Sequence, residues 1–300
     1  MAAEEPARAA PEDPEALVAR EARDRSRAVA AAALAAALPL LATVATLIIN
    51  QDAPKAGENR EAESLIFGHE HATELILVIV AVALGYVAVG IALQFLYRAT
   101  KGRRPELPSA ARWLTVGGSI ALGLSLLVIQ VVLTVKASDF VALPSRTDQA
   151  AKDLLDAPAF QAAAYLRLLA PFALGFGFVL IALNAMRAGL LTRFMGVLGI
   201  IVGALFVIPL GSPLPIIQSL WFGALALLFS GRWPNGMPPA WASGEAVPWP
   251  SQQEIREQRE RDRAAAEPEP EPDPDPYPAV VTAGEKAHPA SKKRKRKRRR

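Results

Sequence analysis

Six runs of apolar residues alternate with charged segments along this chain. They cover residues 28–49, 75–97, 113–135, 168–186, 194–210 and 214–230. The hydrocarbon core of a bilayer is about 30 Å thick, and a helix needs roughly 20 residues to cross it. The first three runs reach 22, 23 and 23 residues without a charged side chain. The pattern therefore predicts an all-α fold, a polytopic membrane bundle of six transmembrane helices.

The last two runs are short, with 17 residues each, and are joined by Leu210-Gly211-Ser212-Pro213. A connection of this length predicts either a tight hairpin of two spans or a re-entrant pair that enters the membrane from one side. Two spans are favoured, because glycine often ends a helix and proline suits the first turn of the next one.

Charge is distributed unevenly along the chain. Residues 28–230 hold 24 of the 62 charged side chains, about half of the share that a soluble domain carries, so a single water-soluble core is excluded. The absence of cysteine excludes a disulfide scaffold, a Cys-ligated metal site and a Cys nucleophile. Three parts are predicted: a partly helical N-terminal segment, 1–27, the transmembrane domain, 28–230, and a largely disordered tail, 231–300.

The positions of Lys and Arg predict the orientation, because short basic loops stay on the cytoplasmic side. With six spans, both termini share one side. That side collects 27 basic residues against six on the other side, and the count is still 12 against six without the C-terminal tail. Early acidic residues and a long first apolar run argue against a cleaved signal peptide. We therefore expect a multi-pass protein of the cell membrane with both termini in the cytoplasm.

The N-terminal segment carries a helix-start signal. Asp13 can cap a helix and Pro14 suits its first position, so a helix is predicted to run from here into the first span. Glu21 and Arg25 have the i,i+4 spacing of an ion pair on that helix. Pro39, near the middle of the span, is expected to kink it.

Two further helices are predicted outside the apolar runs. Thr147 and Asp148 can cap a surface helix between the third and fourth spans, which Pro158 interrupts. Residues 251–266 are predicted to form a short exposed helix in the tail. Between the last span and this helix, Trp and Pro residues favour a segment at the level of the lipid headgroups, where indole rings are stable.

The six runs contain no Asp, Glu, Lys or Arg. Ion-coupled pumps usually need an intramembrane carboxylate or a His relay. This composition argues against a pump and leaves open a pore or a carrier of neutral solutes. No catalytic residue is predicted, and we expect the protein not to be an enzyme.

One segment is dense in potential metal ligands, and it precedes the second span. It contains His69, Glu70, His71 and Glu74, which on a continuous helix would share a face. Such a set can contribute ligands to zinc or another divalent metal. The favoured interpretation is simpler: a helix dipole attracts acidic residues to its first turn, and histidines tolerate a wet interface. No other cofactor is predicted.

The fifth run contains Gly199 and Gly203, a GxxxG pair. Such spacing lets two helix backbones approach closely in lipid. Packing inside one bundle is favoured over the alternative, the face of a homodimer.

The chain ends in nine consecutive basic residues, and their removal would change the net charge from +4 to −5. They are Lys292, Lys293, Arg294, Lys295, Arg296, Lys297, Arg298, Arg299 and Arg300. Such a block can bind anionic lipid headgroups, bind nucleic acid or another polyanion without sequence specificity, or only keep the tail solvated. Lipid is favoured because the tail is tethered to the membrane. The favoured hypothesis is a non-enzymatic membrane module with a lipid-binding or polyanion-binding tail, and the alternative is a transporter or channel for small solutes.

Two short stretches carry a resemblance to known sequences. The turn and glycine-rich span over 189–199, and the exit Gly231-Arg-Trp-Pro-Asn-Gly-Met-Pro-Pro-Ala-Trp241, resemble those of uncharacterised bacterial multi-pass membrane families. The resemblance implies a helical membrane fold and assigns no functional residue.

Overall fold

The computed structural model describes residues 13–54, 60–156, 158–207, 215–234, 236–250 and 252–266. Every regular element in these residues is a helix, as predicted. The helices are α1 Pro14–Ile49, α2 Arg60–Glu70, α3 Ala72–Arg103, α4 Ser109–Val141, α5 Asp148–Leu155, α6 Pro158–Arg187, α7 Arg193–Val207, α8 Ile216–Phe229, α9 Ala240–Ser243 and α10 Gln252–Ala266. A single 3-10 turn, Asn50–Asp52, follows α1.

Four of these helices are long and apolar enough to cross a membrane, namely α1, α3, α4 and α6. They coincide with the first four apolar runs. The remaining two runs form shorter apolar helices, α7 with 15 residues and α8 with 14. The predicted connection between them, residues 210–213, lies outside the described residues.

The six apolar helices pack in a closed ring. Going round it, α1 contacts α3, α3 contacts α4, α4 contacts α6, α6 contacts α7, α7 contacts α8, and α8 returns to α1. Large aromatic side chains pack between α6 and α8: Phe178, Trp221 and Phe222 are fully buried, and the Phe178 and Trp221 ring centroids are 4.8 Å apart. The indole of Trp221 also donates a hydrogen bond to the carbonyl of Met195, 2.9 Å away.

The predicted start of α1 is confirmed. The Asp13 side chain accepts a hydrogen bond from the backbone N–H of Glu15 at 3.2 Å, and Pro14 is the first helical residue. The helix continues without interruption through Pro39, whose carbonyl accepts a hydrogen bond from the Thr43 hydroxyl at 2.7 Å. A side-chain hydroxyl thus bonds to the backbone near the proline, as membrane helices allow.

At the face where α1 ends, α2 and α5 pack on the end of α4. We call this the far face, and the face where α1 begins the N-terminal face. The small far-face core contains Leu65, Phe140 and Ala151. The predicted cap of α5 is confirmed, because the Thr147 hydroxyl accepts from the N–H of Ala150. In the tail, α10 covers Gln252–Ala266 and belongs to a second unit that starts at Pro250.

A single carboxylate joins the far-face helices. The Asp148 oxygen Oδ1 accepts hydrogen bonds from the backbone N–H groups of Glu61 at 2.9 Å and Ala62 at 3.3 Å, at the start of α2. Its other oxygen pairs with the Lys152 ammonium at 2.8 Å. The hydrogen bond from Lys152 and then those from the two N–H groups hold the pKa of Asp148 below its ordinary value of 3.8. The ionised carboxylate of Asp148 therefore holds α5 against the start of α2.

This arrangement predicts an acid-sensitive far face. Because the folded pKa lies below the unfolded value, the stabilisation is fully present above the unfolded pKa and is lost as the pH falls through the folded pKa. We expect amide hydrogen exchange in α2, normalised to intrinsic rates, to rise several-fold below about pH 4 while α3 stays protected. Asp148→Asn, which cannot ionise, should lose this acid response. An identical acid response in the variant and the native protein would contradict the assignment.

Candidate functional site

The N-terminal face is organised around the buried side chain of Arg103, the last residue of α3. Its guanidinium forms a two-pronged ion pair with Glu21 of α1, with Nη1 on Oε1 and with Nη2 3.1 Å from Oε2. Nε and Nη2 also donate to the carbonyl of Ala240 at 2.9 and 2.7 Å, and Nη1 donates to that of Ala99 at 3.0 Å. Five contacts thus match the five N–H groups of a guanidinium.

The expected local pair of Glu21 with Arg25 is replaced by this long-range pair. Both carboxylate oxygens of Glu21 are bound by Arg103, which is 82 residues further along the chain. A buried charge requires a buried partner, whereas an exposed i,i+4 pair contributes only about 0.3–0.5 kcal/mol. Burial therefore decides the partner of Glu21.

Tryptophans attach the segment after α8 to the same face. Trp241 is buried beside Arg103, whose guanidinium lies 5.7 Å from the ring centroid. Its indole donates to the carbonyl of Leu190 at 2.9 Å, and the indole of Trp249 donates to that of Leu191 at 2.8 Å. The predicted interfacial segment is thus hydrogen-bonded to the turn between α6 and α7, and Trp241 faces protein instead of headgroups.

Next to this cluster, α1, α3 and α4 enclose a groove of about 300 Å³. Its polar end is lined by Asp24, Arg27, Gln94 and Arg98. With its amide oriented toward the donors, the Gln94 oxygen accepts from Nε of Arg98 at 3.0 Å and from Nε of Arg112 at 3.3 Å. Two guanidinium groups from neighbouring helices therefore converge on one neutral acceptor.

The other end of the groove is apolar and open. Val87, Ile91 and Ile120 line it, and they remain 42%, 50% and 51% exposed. Exposed aliphatic side chains of this kind suit contact with lipid. The groove is thus amphipathic along its length, with cations at one end and hydrocarbon at the other.

The electrostatic balance of the groove favours an anion. Arg27 of α1 and Arg98 of α3 line the groove, and Arg112 of α4 reaches the oxygen of Gln94 beside it, whereas Asp24 is the one carboxylate in the described lining. Asp24 lies 4.0 Å from Arg98, and both side chains are well exposed, so the pair is weak. A guanidinium fork matches phosphate and carboxylate oxygens geometrically. We call this the arginine groove.

The sequence-predicted metal ligands do not come together. His71 directly precedes α3 without a capping hydrogen bond from its side chain, and its ring stacks on Phe67, with centroids 4.3 Å apart and Nδ1 3.2 Å from the Phe67 carbonyl. His69 lies 3.3 Å from the Ser138 hydroxyl. The break between α2 and α3 at His71 interrupts the single helical face on which the metal hypothesis depended. Among the described residues, no group of three potential ligands, Glu70 and Glu74 included, is close enough to hold an ion.

The two glycines of the GxxxG pair lie inside the ring of helices. A Cβ on Gly199 would lie 2.9 Å from the Cβ of Ala182 on α6, and one on Gly203 would lie 3.0 Å from the carbonyl of Gly175. These positions serve contact between α6 and α7. The nine basic residues, 292–300, lie outside the described residues.

In the sequence, Arg98, Arg103 and Arg112 indicate only the orientation of the protein. One signal pointed further: Gln94 is the amide four residues before Arg98, so both side chains fall on one face of α3. The contact of Arg112 with Gln94 could not be predicted from neighbouring residues in the sequence, because it depends on how α4 packs against α3.

Comparison with known proteins places the chain in a family. The family described as "Domain of unknown function (DUF4386)" matches residues 30–229, which is two thirds of the chain. The chain belongs to the DUF4386 family. The resemblance to an uncharacterised family is thereby confirmed, whereas the bacterial origin stays a prediction. No curated protein and no solved structure matches the chain significantly.

The DUF4386 match begins within α1 and ends at the last residue of α8. It includes Arg98, Arg103 and Arg112 but not Glu21 or Ala240. In this DUF4386 protein the buried charge of the matched region therefore takes its carboxylate and one carbonyl from the flanking segments.

This dependence predicts an asymmetric mutational response. Glu21→Ala leaves the Arg103 guanidinium buried without its counter-charge and should destabilise the protein by about 3–5 kcal/mol. The double variant Glu21→Leu with Arg103→Met removes both charges and should recover much of that loss. Thermal unfolding in one detergent measures both, with Arg25→Ala as the control on the same helix. Equal losses in Glu21→Ala and Arg25→Ala would contradict the structural role of the pair.

Proposed function

We propose that this DUF4386 protein is a non-enzymatic, multi-pass protein of the cell membrane that binds anionic lipid at its N-terminal face. The observation that carries the proposal is the arginine groove, where Arg27 and Arg98 line the polar end of an open apolar channel and Arg112 contacts Gln94 beside it. A phospholipid has the matching shape and charge, with a phosphate at one end and acyl chains at the other.

The depth of the arginines along the helices supports this assignment. Arg27 directly precedes the first apolar run, Arg98 directly follows the second, and Arg112 directly precedes the third. All three guanidinium groups therefore stand at headgroup level if these runs span the bilayer. Val87 and Ile91 lie two to three turns deeper along α3, at the level of acyl chains.

We further propose six spans and cytoplasmic termini. The short helices α7 and α8 occupy two of the six positions in the ring, next to membrane-length helices on both sides. With an even number of spans the basic N-terminal face lies in the cytoplasm, as the distribution of Lys and Arg favours. The cytoplasmic leaflet is also the one that carries anionic lipid.

The basic end of the tail extends the same chemistry. Each Lys or Arg near an anionic surface contributes about 1 kcal/mol to membrane association. Nine such residues provide attraction without selecting a headgroup, whereas the groove offers a defined place for one lipid. In this proposal the tail concentrates anionic lipid near the protein and the groove binds an individual molecule.

The alternative function, a transporter or channel for small solutes, has weaker support. The aromatic side chains of Phe178, Trp221 and Phe222 are fully buried against one another between α6 and α8. Such tight packing between helices favours a binding module over an open pore.

Removal of two groove arginines should weaken lipid binding. We expect the double variant Arg98→Gln with Arg112→Gln to bind phosphatidylglycerol 10- to 30-fold more weakly, since two cations contribute roughly 2 kcal/mol. Native mass spectrometry in a detergent of neutral charge, with a titration of lipid, measures this affinity. The matched control is Arg60→Gln with Arg146→Gln, which removes two exposed charges from the far face. Equal affinities for the groove variant and the control would overturn the proposed site.

A chain that ends at Ala290 tests the tail separately. In nanodiscs of neutral lipid, we expect the full chain to bind anionic liposomes and to lose this binding as salt rises. The shortened chain should not bind the liposomes, yet it should keep its affinity for the single lipid of the groove. If RNA displaces the liposomes at equal charge concentration without a preference for lipid, the tail binds polyanions generally. Unchanged liposome binding after truncation would contradict a role of the tail.

A further inference from the structure

A cavity of about 310 Å³ lies on the far face, at the other end of the helices from the arginine groove. Residues of α2 form one wall, and residues of α4 form another. The turn after α1, the start of α3 and the end of α5 complete the lining. Its volume falls at the lower end of the range for small-molecule pockets, about 300–1,000 Å³.

Uncharged polar side chains form one part of the lining, namely Asn50, Ser64, Gln130 and Thr134. The Gln130 nitrogen Nε2 lies 3.5 Å from the Thr134 hydroxyl, at the outer limit of a hydrogen bond. The Gln130 oxygen and the side chains of Asn50 and Ser64 make no hydrogen bond to another described residue. The cavity therefore offers both donors and acceptors to a ligand.

The depth of Gln130 makes its hydrogen bonding important. The third apolar run ends at residue 135, so Gln130 lies about 7–8 Å inside that end along α4. Hydrocarbon supplies no hydrogen-bond partner to an amide, and the contact with Thr134 is long. A hydroxyl group of a ligand would supply the partner that the amide oxygen lacks among the described residues.

The charge of the lining argues against an anion. Glu61 is the one charged residue in the described lining, and its ionised carboxylate can only accept hydrogen bonds. The pKa of Lys152 is raised, first by its hydrogen bond with Asp148 and also by the charge of Glu61. The negative charge of Glu61 is thus partly balanced by a nearby cation, which favours a neutral hydroxyl donor over a cationic ligand.

The rest of the lining is largely apolar. Leu65, Leu75, Leu133 and Leu155 come from four different helices. Leu65 is buried, and the other three are half-buried. Aliphatic walls of this kind favour contact with a short hydrocarbon chain. The cavity is therefore amphipathic, with a neutral polar part and a part that suits hydrocarbon.

The wall formed by α2 is held in place without a ligand. The Asp148 carboxylate accepts hydrogen bonds from the N–H groups of Glu61 at 2.9 Å and Ala62 at 3.3 Å. Leu65 belongs to the far-face core together with Phe140 and Ala151. Because the wall is already ordered, a ligand would not have to provide the free energy of ordering it.

We propose that this far-face cavity binds a small neutral amphiphile with a hydroxylated head, of the monoacylglycerol class. The hydroxyl groups of the head hydrogen-bond to the carboxylate of Glu61 and the amide of Gln130, and the acyl chain contacts the leucine side chains. This site is distinct from the arginine groove and does not depend on the binding of lipid there.

Photolabelling of the full chain in phosphatidylcholine nanodiscs tests the proposal. The probe is monooctanoylglycerol with a diazirine in its acyl chain, and mass spectrometry identifies the labelled peptides. We expect saturable labelling of α2 or of the far-face half of α4, with competition by unlabelled monooctanoylglycerol. At equal concentration in the membrane, octanoate and octyltrimethylammonium should compete at least tenfold more weakly. The first is repelled by Glu61, and the second lacks hydroxyl groups.

Variants locate the site. The double variant Glu61→Ala with Gln130→Leu should reduce the saturable labelling at least fivefold. The matched control is Gln218→Leu, which makes the same change on α8 outside the lining. The control should label as the native protein does. The groove variant Arg98→Gln with Arg112→Gln should do the same, which separates this site from the proposed lipid site.

Unfolding temperatures near the native value establish that the variants are folded, and the competition series in the native protein decides the ligand class without any variant. The proposal is overturned if labelling does not saturate or maps outside the far face. It is also overturned if the folded double variant labels normally, if the groove variant loses the labelling, or if either charged amphiphile competes as well as monooctanoylglycerol.

Discussion

A guanidinium without access to water imposes the strictest constraint on this fold. Arg103 lies at the end of a membrane-length helix, and its charge is compensated only if α1 and the chain at Ala240 reach it together. The cost of an uncompensated buried charge exceeds that of most single contacts in a domain. Arg103 therefore constrains both the register of α1 against α3 and the return of the chain after α8.

The arginines of the N-terminal face fall into two classes that composition alone does not distinguish. Arg103 uses its donors on protein acceptors, so it is structural. Arg98 and Arg112 share the neutral amide oxygen of Gln94, and the carboxylate of Asp24 lies 4.0 Å from Arg98 in an exposed, weak pair. A guanidinium that is positioned by a neutral acceptor keeps its positive charge available for an anionic ligand. The same residue type thus serves stability at one position of α3 and, in the proposed function, ligand binding about a turn away.

Local chemistry predicted the helices, whereas packing determined the sites. Apolar runs predicted the membrane-length helices because few structures other than a helix satisfy the backbone hydrogen bonds in hydrocarbon. The caps at Asp13 and Thr147 could be predicted because each side chain bonds to a backbone group within three residues. The partner of Glu21 was mistaken because sequence spacing cannot report burial. The histidine patch depended on one continuous helix, and the break at His71 changed which atoms its ring faces.

The carbonyl of Ala240 gives the Arg103 cluster an unusual property. Two of the five donors of the guanidinium are satisfied by a backbone atom, which every amino acid supplies. Substitutions at position 240 would keep this acceptor as long as the small, fully buried site tolerates the new side chain. Co-variation between sequences would therefore detect the pairing of residue 21 with residue 103, but it would not detect the contact with the carbonyl of residue 240. Only an insertion or deletion that shifts the path of the chain after α8 would reveal it.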